Sequence, residues 1–175
     1  MSLSRSKAHD APFVGPRWWI AAAWLAVALV AQTTVMHYVQ FRGAEPSLVL
    51  VTVVWYAIRV DTRRAAAYGL VAGLLLDIVA GQTGGAWTIS TTMVAVIAGM
   101  LSRGFFADSI PLVSAITGIA TLLDMLVFWI VRAFEGYPSG LGWMHAHEAA
   151  FQAILNVALM ALVMSIARRF DTRLA

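Results

Sequence analysis

The stretch AAAYGLVAGLLLDIVAGQTGG, residues 65–85, decides the fold, because it is an apolar helix that carries a single ridge of small residues and one acid. The ridge members follow one another at intervals of four: Ala65, Gly69, Gly73, Asp77 and Gly81. This spacing puts them on one helix face. Small residues at this interval let a neighbouring membrane helix approach almost to backbone contact. We therefore predict a tight helix–helix contact along the ridge, with Asp77 facing protein rather than lipid.

The composition around this helix is that of an integral membrane protein. Of 175 residues, 61% are hydrophobic and 12% are charged, with a mean hydropathy of +0.79. A soluble domain carries about a quarter charged residues. The absence of cysteine excludes disulfides, thiolate catalysis and cysteine metal sites. The basic residues are scattered at helix ends, a pattern that indicates membrane orientation rather than nucleic-acid binding.

The apolar runs predict an all-α integral membrane protein, a bundle of six transmembrane helices in one domain at residues 18–170. The spans are expected at about 18–39, 46–60, 65–81, 86–102, 110–133 and 149–167. Residues 1–17 are expected to be a flexible cytoplasmic tail, and residues 171–175 a second cytoplasmic tail.

The second span is the weakest of the six. Its apolar run, LVLVTVVWYAI at residues 48–58, reaches only about 16 Å as a helix, against a hydrocarbon core of about 30 Å. Pro46 at the helix start and a snorkelling Arg59 would help it to cross. A re-entrant or tilted short segment remains the alternative.

The distribution of basic residues predicts the orientation. With the N-terminus inside, 10 of the 12 Lys and Arg residues lie on the cytoplasmic side, and the other two, Arg42 and Arg132, lie outside. Cytoplasmic ends of membrane proteins are enriched in Lys and Arg. We therefore expect a multi-pass membrane protein with both termini in the cytoplasm.

Three polar residues fall inside the predicted spans: Asp77, Asp124 and Asn156. A charge at that depth costs several kcal/mol, so such residues normally face the bundle interior. Under the six-span map all three lie in the outer half of the bilayer, where they can share one polar layer. Two interpretations stay open. The layer is a hydrogen-bond network that fixes the helices, or it serves partner docking or, less readily, proton or ligand handling.

Enzyme activity has little support in the sequence. The segment HAHE, residues 145–148, lies in a predicted external loop without a matching ligand set, so no metal is expected. The turn GQTGG, residues 81–85, lacks the Lys and the spacing of a phosphate-binding loop. No nucleophile–base arrangement is visible. We therefore expect no catalytic residue, no cofactor and no enzymatic function.

Three motifs, in this order, resemble the MreD family of rod-shape-determining membrane proteins of bacteria. They are EPSLVLVTVVWYAIRV at residues 45–60, GLVAGLLLDIVAGQTGG at residues 69–85 and LLDMLVFW at residues 122–129. The resemblance covers residues 45–170. It assigns Pro46 to the proline that opens the second helix and Asp124 to the acid of the fifth. It assigns Gly69, Gly73 and Asp77 to the family's Gly-x-x-x-Gly-x-x-x-Asp motif.

The resemblance implies a non-enzymatic role in cell-wall elongation and a place in the bacterial inner membrane. Its implied partners are an MreC-like protein, an MreB-like filament, a RodA-type synthase with its transpeptidase, and membrane lipid, with no nucleic acid. The implied fold is similar to the substrate-binding S-component of energy-coupling-factor transporters. That similarity supplies the alternative, a vitamin-type uptake subunit with an outer-facing pocket lined by Asp124, Asn156 and Trp143. An intramembrane hydrolase is disfavoured because a nucleophile–base pair is missing.

Overall fold

The computed structural model describes residues 16–81, 84–101, 109–136 and 142–174. Within these ranges the chain forms six α-helices and no β-strand, as predicted for an all-α protein. The helices are α1 (Trp18–Thr34), α2 (Leu48–Ala57), α3 (Thr62–Val79), α4 (Ala86–Leu101), α5 (Ile110–Phe134) and α6 (Gly142–Leu174), and a 3-10 turn, Met36–Tyr38, follows α1. The tail expected at residues 1–17 lies outside the described residues as far as residue 15.

Two of the described helices are long and apolar enough to cross a membrane: α5, and the part of α6 from Met144 to Ile166. Helices α1, α2 and α4 are apolar but shorter, at 17, 10 and 16 residues. The outward faces are apolar as well, since Val30, Ile119 and Ile154 are 63%, 66% and 63% exposed. Apolar side chains on the outside of an already packed bundle are typical of a surface that faces lipid.

Helix α2 lies at the centre of the bundle and contacts all five of the other helices. Seven of its ten residues are buried: Val49, Leu50, Val51, Val53, Val54, Tyr56 and Ala57. A helix that is hydrophobic on every side is expected in such a position. The apolar run that is too short for a simple span therefore forms the core around which the longer helices pack.

The start of α2 differs slightly from the predicted one. Pro46 lies two residues before the helix, and Ser47 is the N-cap, whose hydroxyl accepts a hydrogen bond from the Leu50 N–H at 3.2 Å. Serine is among the preferred N-cap residues because its side chain satisfies a free N–H of the first turn. The helix therefore begins at Leu48 rather than at residue 46.

Helix α6 begins earlier and ends later than predicted. The prediction that residues 145–148 lie in a loop is wrong, because α6 starts at Gly142 and includes them. Alanine, methionine and glutamate favour helix in this segment, and no proline or glycine follows Gly142 within it. The helix has 33 residues, about 50 Å of length. It runs through to Leu174, where a tail was expected from residue 171.

Candidate functional site

The helices α3 and α4 touch almost backbone to backbone along the glycine ridge. A Cβ added to Gly69 would lie 2.5 Å from the Ala95 Cβ. A Cβ added to Gly73 would lie 2.5 Å from the Thr88 Cα and 2.6 Å from the Trp87 carbonyl oxygen. Backbone atoms cannot move aside without displacing the helix. The contact therefore requires glycine at Gly73.

The two ends of the ridge differ from each other. Ala65 is fully buried, and a Cβ added to Gly99 of α4 would lie 3.0 Å from the Ala65 Cβ. Gly81, in contrast, is exposed, because α3 ends at Val79 and the chain turns there. The expected extension of the ridge to Gly81 is therefore wrong. Gly81 has φ +64°, a left-handed conformation that glycine adopts without steric cost.

Asp77 caps the N-terminus of α4 from the neighbouring helix. Its Oδ1 accepts a hydrogen bond from the Trp87 N–H at 3.1 Å. Its Oδ2 accepts from the Thr88 N–H at 2.9 Å and from the Thr88 hydroxyl at 2.6 Å. The first N–H groups of a helix have no partner within the helix, and a carboxylate there also complements the helix dipole. The buried acid thus closes the start of α4.

Two amide side chains perform the same task for α2. The Ser47 N–H donates to Asn156 Oδ1 of α6 at 2.7 Å, and the Leu48 N–H donates to Gln32 Oε1 of α1 at 2.7 Å. Gln32 Nε2 also donates to the Pro46 carbonyl at 3.2 Å. Sequence reasoning missed Gln32, although it is the only amide side chain of α1.

Asn156 lies on α6 and links this helix to both α2 and α5. It is fully buried, and its Nδ2 donates to Thr121 Oγ1 at 3.0 Å. Thr121 belongs to a buried polar face of α5 with a helical spacing: Ser114, Thr117, Thr121 and Asp124. Sequence reasoning singled out Asp124 in this face and missed the three hydroxyl residues. Their spacing of three and four positions is the signal that would have revealed them.

Asp124 faces the first turns of α4. It is 3% exposed, and Ser90 and Thr91 of α4 lie beside its carboxyl group. Its Oδ1 and the Thr91 Oγ1 are buried without a hydrogen-bond partner. The three predicted polar residues therefore have separate partners. Asp77 accepts hydrogen bonds from the start of α4, Asp124 lies beside the same helix, and Asn156 bonds to the start of α2 and to α5.

A cavity of about 290 Å³ lies beside the N-termini of α2 and α4. Its lining residues are Gln32, Gly43, Ala44, Glu45, Ser47, Leu76, Trp87, Met125, Phe128, Trp129, Glu148 and Gln152. Asp124 and Asn156 were expected to line a pocket in the uptake alternative, but they do not line this one. Both are instead buried between helices. The side chain of Trp143, the third expected lining residue, lies outside the described residues.

The two histidines of the HAHE segment pack against aromatic rings. The His145 ring stacks on Trp129 with ring centroids 3.4 Å apart, and its Nδ1 lies 3.5 Å from Glu148 Oε2. The His147 ring packs against Phe151 with centroids 4.7 Å apart. In the described part of the chain, no group of three His, Asp or Glu side chains could hold a metal ion.

A family model described as rod shape-determining protein MreD matches residues 15–170. The matched range contains the glycine ridge, the three capping side chains and the lining of the cavity. Comparison with curated proteins and with solved structures gives no match.

Proposed function

This chain belongs to the MreD family of rod shape-determining membrane proteins, and we propose that it is a non-enzymatic scaffold in the inner membrane for cell-wall elongation. In this role it binds an MreC-like protein and a RodA-type synthase with its transpeptidase, in a system organised by an MreB-like filament. The observation that carries the proposal is the family match over most of the chain.

The use of the buried polar groups supports a scaffold. Asp77 accepts three hydrogen bonds, and both polar ends of Asn156 are engaged with neighbouring helices. These groups hold helix ends in place, so their lone pairs and protons are committed to structure. A scaffold needs a fixed outer surface, and a bundle whose inner helices are capped by their neighbours supplies one.

The same caps support a multi-pass arrangement of six spans. A backbone N–H in the hydrocarbon region must be satisfied within the protein. The N-terminus of the ten-residue α2 is satisfied by Gln32 and Asn156. The N-terminus of α2 can therefore lie below the membrane surface, and α2 does not have to extend through the whole bilayer. The distribution of Lys and Arg favours both termini in the cytoplasm.

Depletion of the protein in its native rod-shaped host tests the proposal. We expect round cells that continue to make peptidoglycan, because positioning of synthesis is lost rather than its chemistry. A tagged full-length copy should recover the MreC-like and synthase partners from membranes, and should restore rod shape. Rod-shaped cells after complete depletion would contradict the scaffold role. Growth failure cured by an added vitamin, with saturable binding of that vitamin to the purified protein, would support the uptake alternative instead.

A further inference from the structure

Two helices on one side of the bundle, α1 and α3, run side by side at the same level. The Tyr68 hydroxyl of α3 donates a hydrogen bond to the Ala21 carbonyl of α1 at 2.8 Å. One turn further along each helix, Leu25 and Ala72 lie in the same core cluster. Each position of α1 therefore matches the position of α3 that lies 47 residues later in the chain.

Both helices are bounded by polar groups at matching positions. Arg17 and Arg64 are a matching pair, and each directly precedes the apolar part of its helix. At the other end, Gln32 matches Val79, the last residue of α3. Gln32 begins the polar end of α1, and the exposed turn at Gly81 follows α3.

The apolar parts of these two helices are too short for an ordinary bilayer. Residues 18–31 of α1 and residues 65–79 of α3 reach about 21 Å and about 22 Å as helices. The hydrocarbon core of a bilayer is about 30 Å thick. Tilting a helix shortens its reach across the membrane further, so tilt does not remove the difference.

The inner helices α2 and α4 begin at the level where α1 and α3 become polar. The Leu48 N–H at the start of α2 donates to Gln32 Oε1, and the Trp87 N–H at the start of α4 donates to Asp77 Oδ1. Polar groups of four helices therefore lie at one level on this side of the bundle. A lipid surface that follows this level lies below the plane of an undisturbed bilayer.

Helix α5 has a different apolar length. Residues 110–131, which lie between Ser109 and Arg132, reach about 33 Å, and the one charged residue among them, Asp124, is buried. This length fits a core of about 30 Å at the usual tilt of about 20°. Helix α4 packs against both α3 and α5 and separates them. The bundle therefore has a thin side at α1 and α3 and a side of ordinary thickness at α5.

We propose that the face formed by α1 and α3 binds phospholipids with short acyl chains, in a bilayer that becomes thinner from α5 toward this face. The cost of exposing acyl chains to polar groups rises with each ångström of mismatch, and shorter chains relieve it. The inference rests on the multi-pass arrangement proposed above and adds to it a lipid partner of defined chain length.

Contact quenching by brominated lipid tests the proposal on the purified full-length protein in phosphatidylcholine vesicles. The chain has no cysteine, so single cysteines can carry a bimane fluorophore on exposed apolar positions near the middle of each helix. Val71→Cys and Leu74→Cys label α3, and Ile119→Cys and Leu122→Cys are the matched controls on α5.

The vesicles contain dibrominated dioleoyl lipid, which quenches a fluorophore that it touches. This lipid is diluted either with unbrominated dioleoyl lipid or with dimyristoleoyl lipid, whose chains are shorter. At the α3 labels we expect the short-chain lipid to relieve quenching about two-fold more effectively than the dioleoyl lipid. At the α5 labels it should be no more effective.

Equal relief by the two lipids at the α3 labels, or the same preference at the α3 and α5 labels, would overturn the proposal. Quenching of the α5 labels alone would mean that water or a second copy of the chain covers the α3 face, and would overturn it too. Two labels on each helix keep the comparison possible if one variant fails to fold. The scaffold role is tested separately by cell shape after depletion, so either idea can fail without the other.

Discussion

Asp77 Oδ2 accepts two hydrogen bonds from Thr88, one from its backbone N–H at 2.9 Å and one from its hydroxyl at 2.6 Å. The same Thr88 is the residue whose Cα would lie 2.5 Å from a Cβ on Gly73. Gly73 and Asp77 are one turn apart on α3. The close approach that Gly73 permits therefore brings the start of α4 within reach of the Asp77 carboxylate. The small residue and the acid act together.

Replacement of Gly73 should destabilise the bundle in proportion to the bulk that is added. Gly73→Ala puts a Cβ against backbone atoms, and Gly73→Leu adds a side chain that has no space. We expect a loss of about 1–3 kcal/mol from overpacking, larger for leucine. Melting temperature and accumulation in detergent measure it. Val71→Leu, on an exposed part of α3, is the control. Wild-type stability of Gly73→Leu would contradict the tight contact.

Loss of the Asp77 carboxylate should destabilise the start of α4. Asp77→Leu leaves the Trp87 and Thr88 N–H groups without an acceptor, which costs about 1–3 kcal/mol for a buried donor. Asp77→Asn keeps one acceptor and should lose less. Thr88→Val removes the hydroxyl alone. Combining Asp77→Leu with Thr88→Val should cost less than the sum of the two, because both act on one contact.

The Asp77 variants also separate the two roles that the sequence leaves open. If Asp77 serves the core alone, abundance and complex recovery should fall together in Asp77→Leu. If it supports partner docking, the variant should stay abundant while less MreC-like partner is recovered with it. Recovery is normalised to the amount of folded protein. Gly118→Ala, where a Cβ would lie 2.9 Å from Val157 Cγ2 in the contact of α5 with α6, serves as a comparison for destabilisation away from the carboxylate.

Asn156 should protect the start of α2. Asn156→Leu leaves the Ser47 N–H without its acceptor, whereas the Thr121 hydroxyl still donates to the Thr117 carbonyl, and we expect a loss of about 1–3 kcal/mol. Hydrogen exchange measured by mass spectrometry should show faster exchange in the peptide that contains residues 47–51. Thr121→Val keeps the acceptor for Ser47 and should leave that peptide protected. Unchanged exchange in Asn156→Leu would show that the cap does not hold α2.

Features of this fold that depend on residues close together in the chain could be predicted from the sequence, and features that depend on contacts between separate helices could not. The apolar runs predicted the six helices, because burial and lipid contact both select for them along the chain. The close approach of α3 and α4 follows from the four-residue spacing of Gly69 and Gly73. The partner of Asp77 could not be predicted, because it depends on where α4 begins relative to α3. Gln32 was missed for the same reason: its partner, Leu48, lies on another helix.

Sequence signals from neighbouring residues gave wrong helix boundaries at two places where contacts between helices determine the boundary. The glycines, Pro138 and Trp143 between α5 and α6 indicated an external loop up to residue 148, with a structured turn or a short interfacial segment in it. Residues 142–148 are instead helical and hold His145 against Trp129. Gly81 continued the spacing of the ridge, but spacing alone does not show that α3 ends at Val79. Each error concerns the end of a helix. The free energies of one more helical turn and of a loop differ little there, so the sequence does not define the boundary sharply.

Both termini should lie in the cytoplasm. Of the 12 Lys and Arg residues, only Arg42 and Arg132 fall on the external side of a six-span arrangement, and basic residues are retained on the cytoplasmic side during insertion. A reporter fused after Ala175 should be active in the cytoplasm, and one inserted between Gly136 and Gly142 should be active in the periplasm. An insertion beside Asp61 is the cytoplasmic control. A C-terminal fusion that is active in the periplasm would require an odd number of spans, and the central α2 would then enter and leave the membrane on one side.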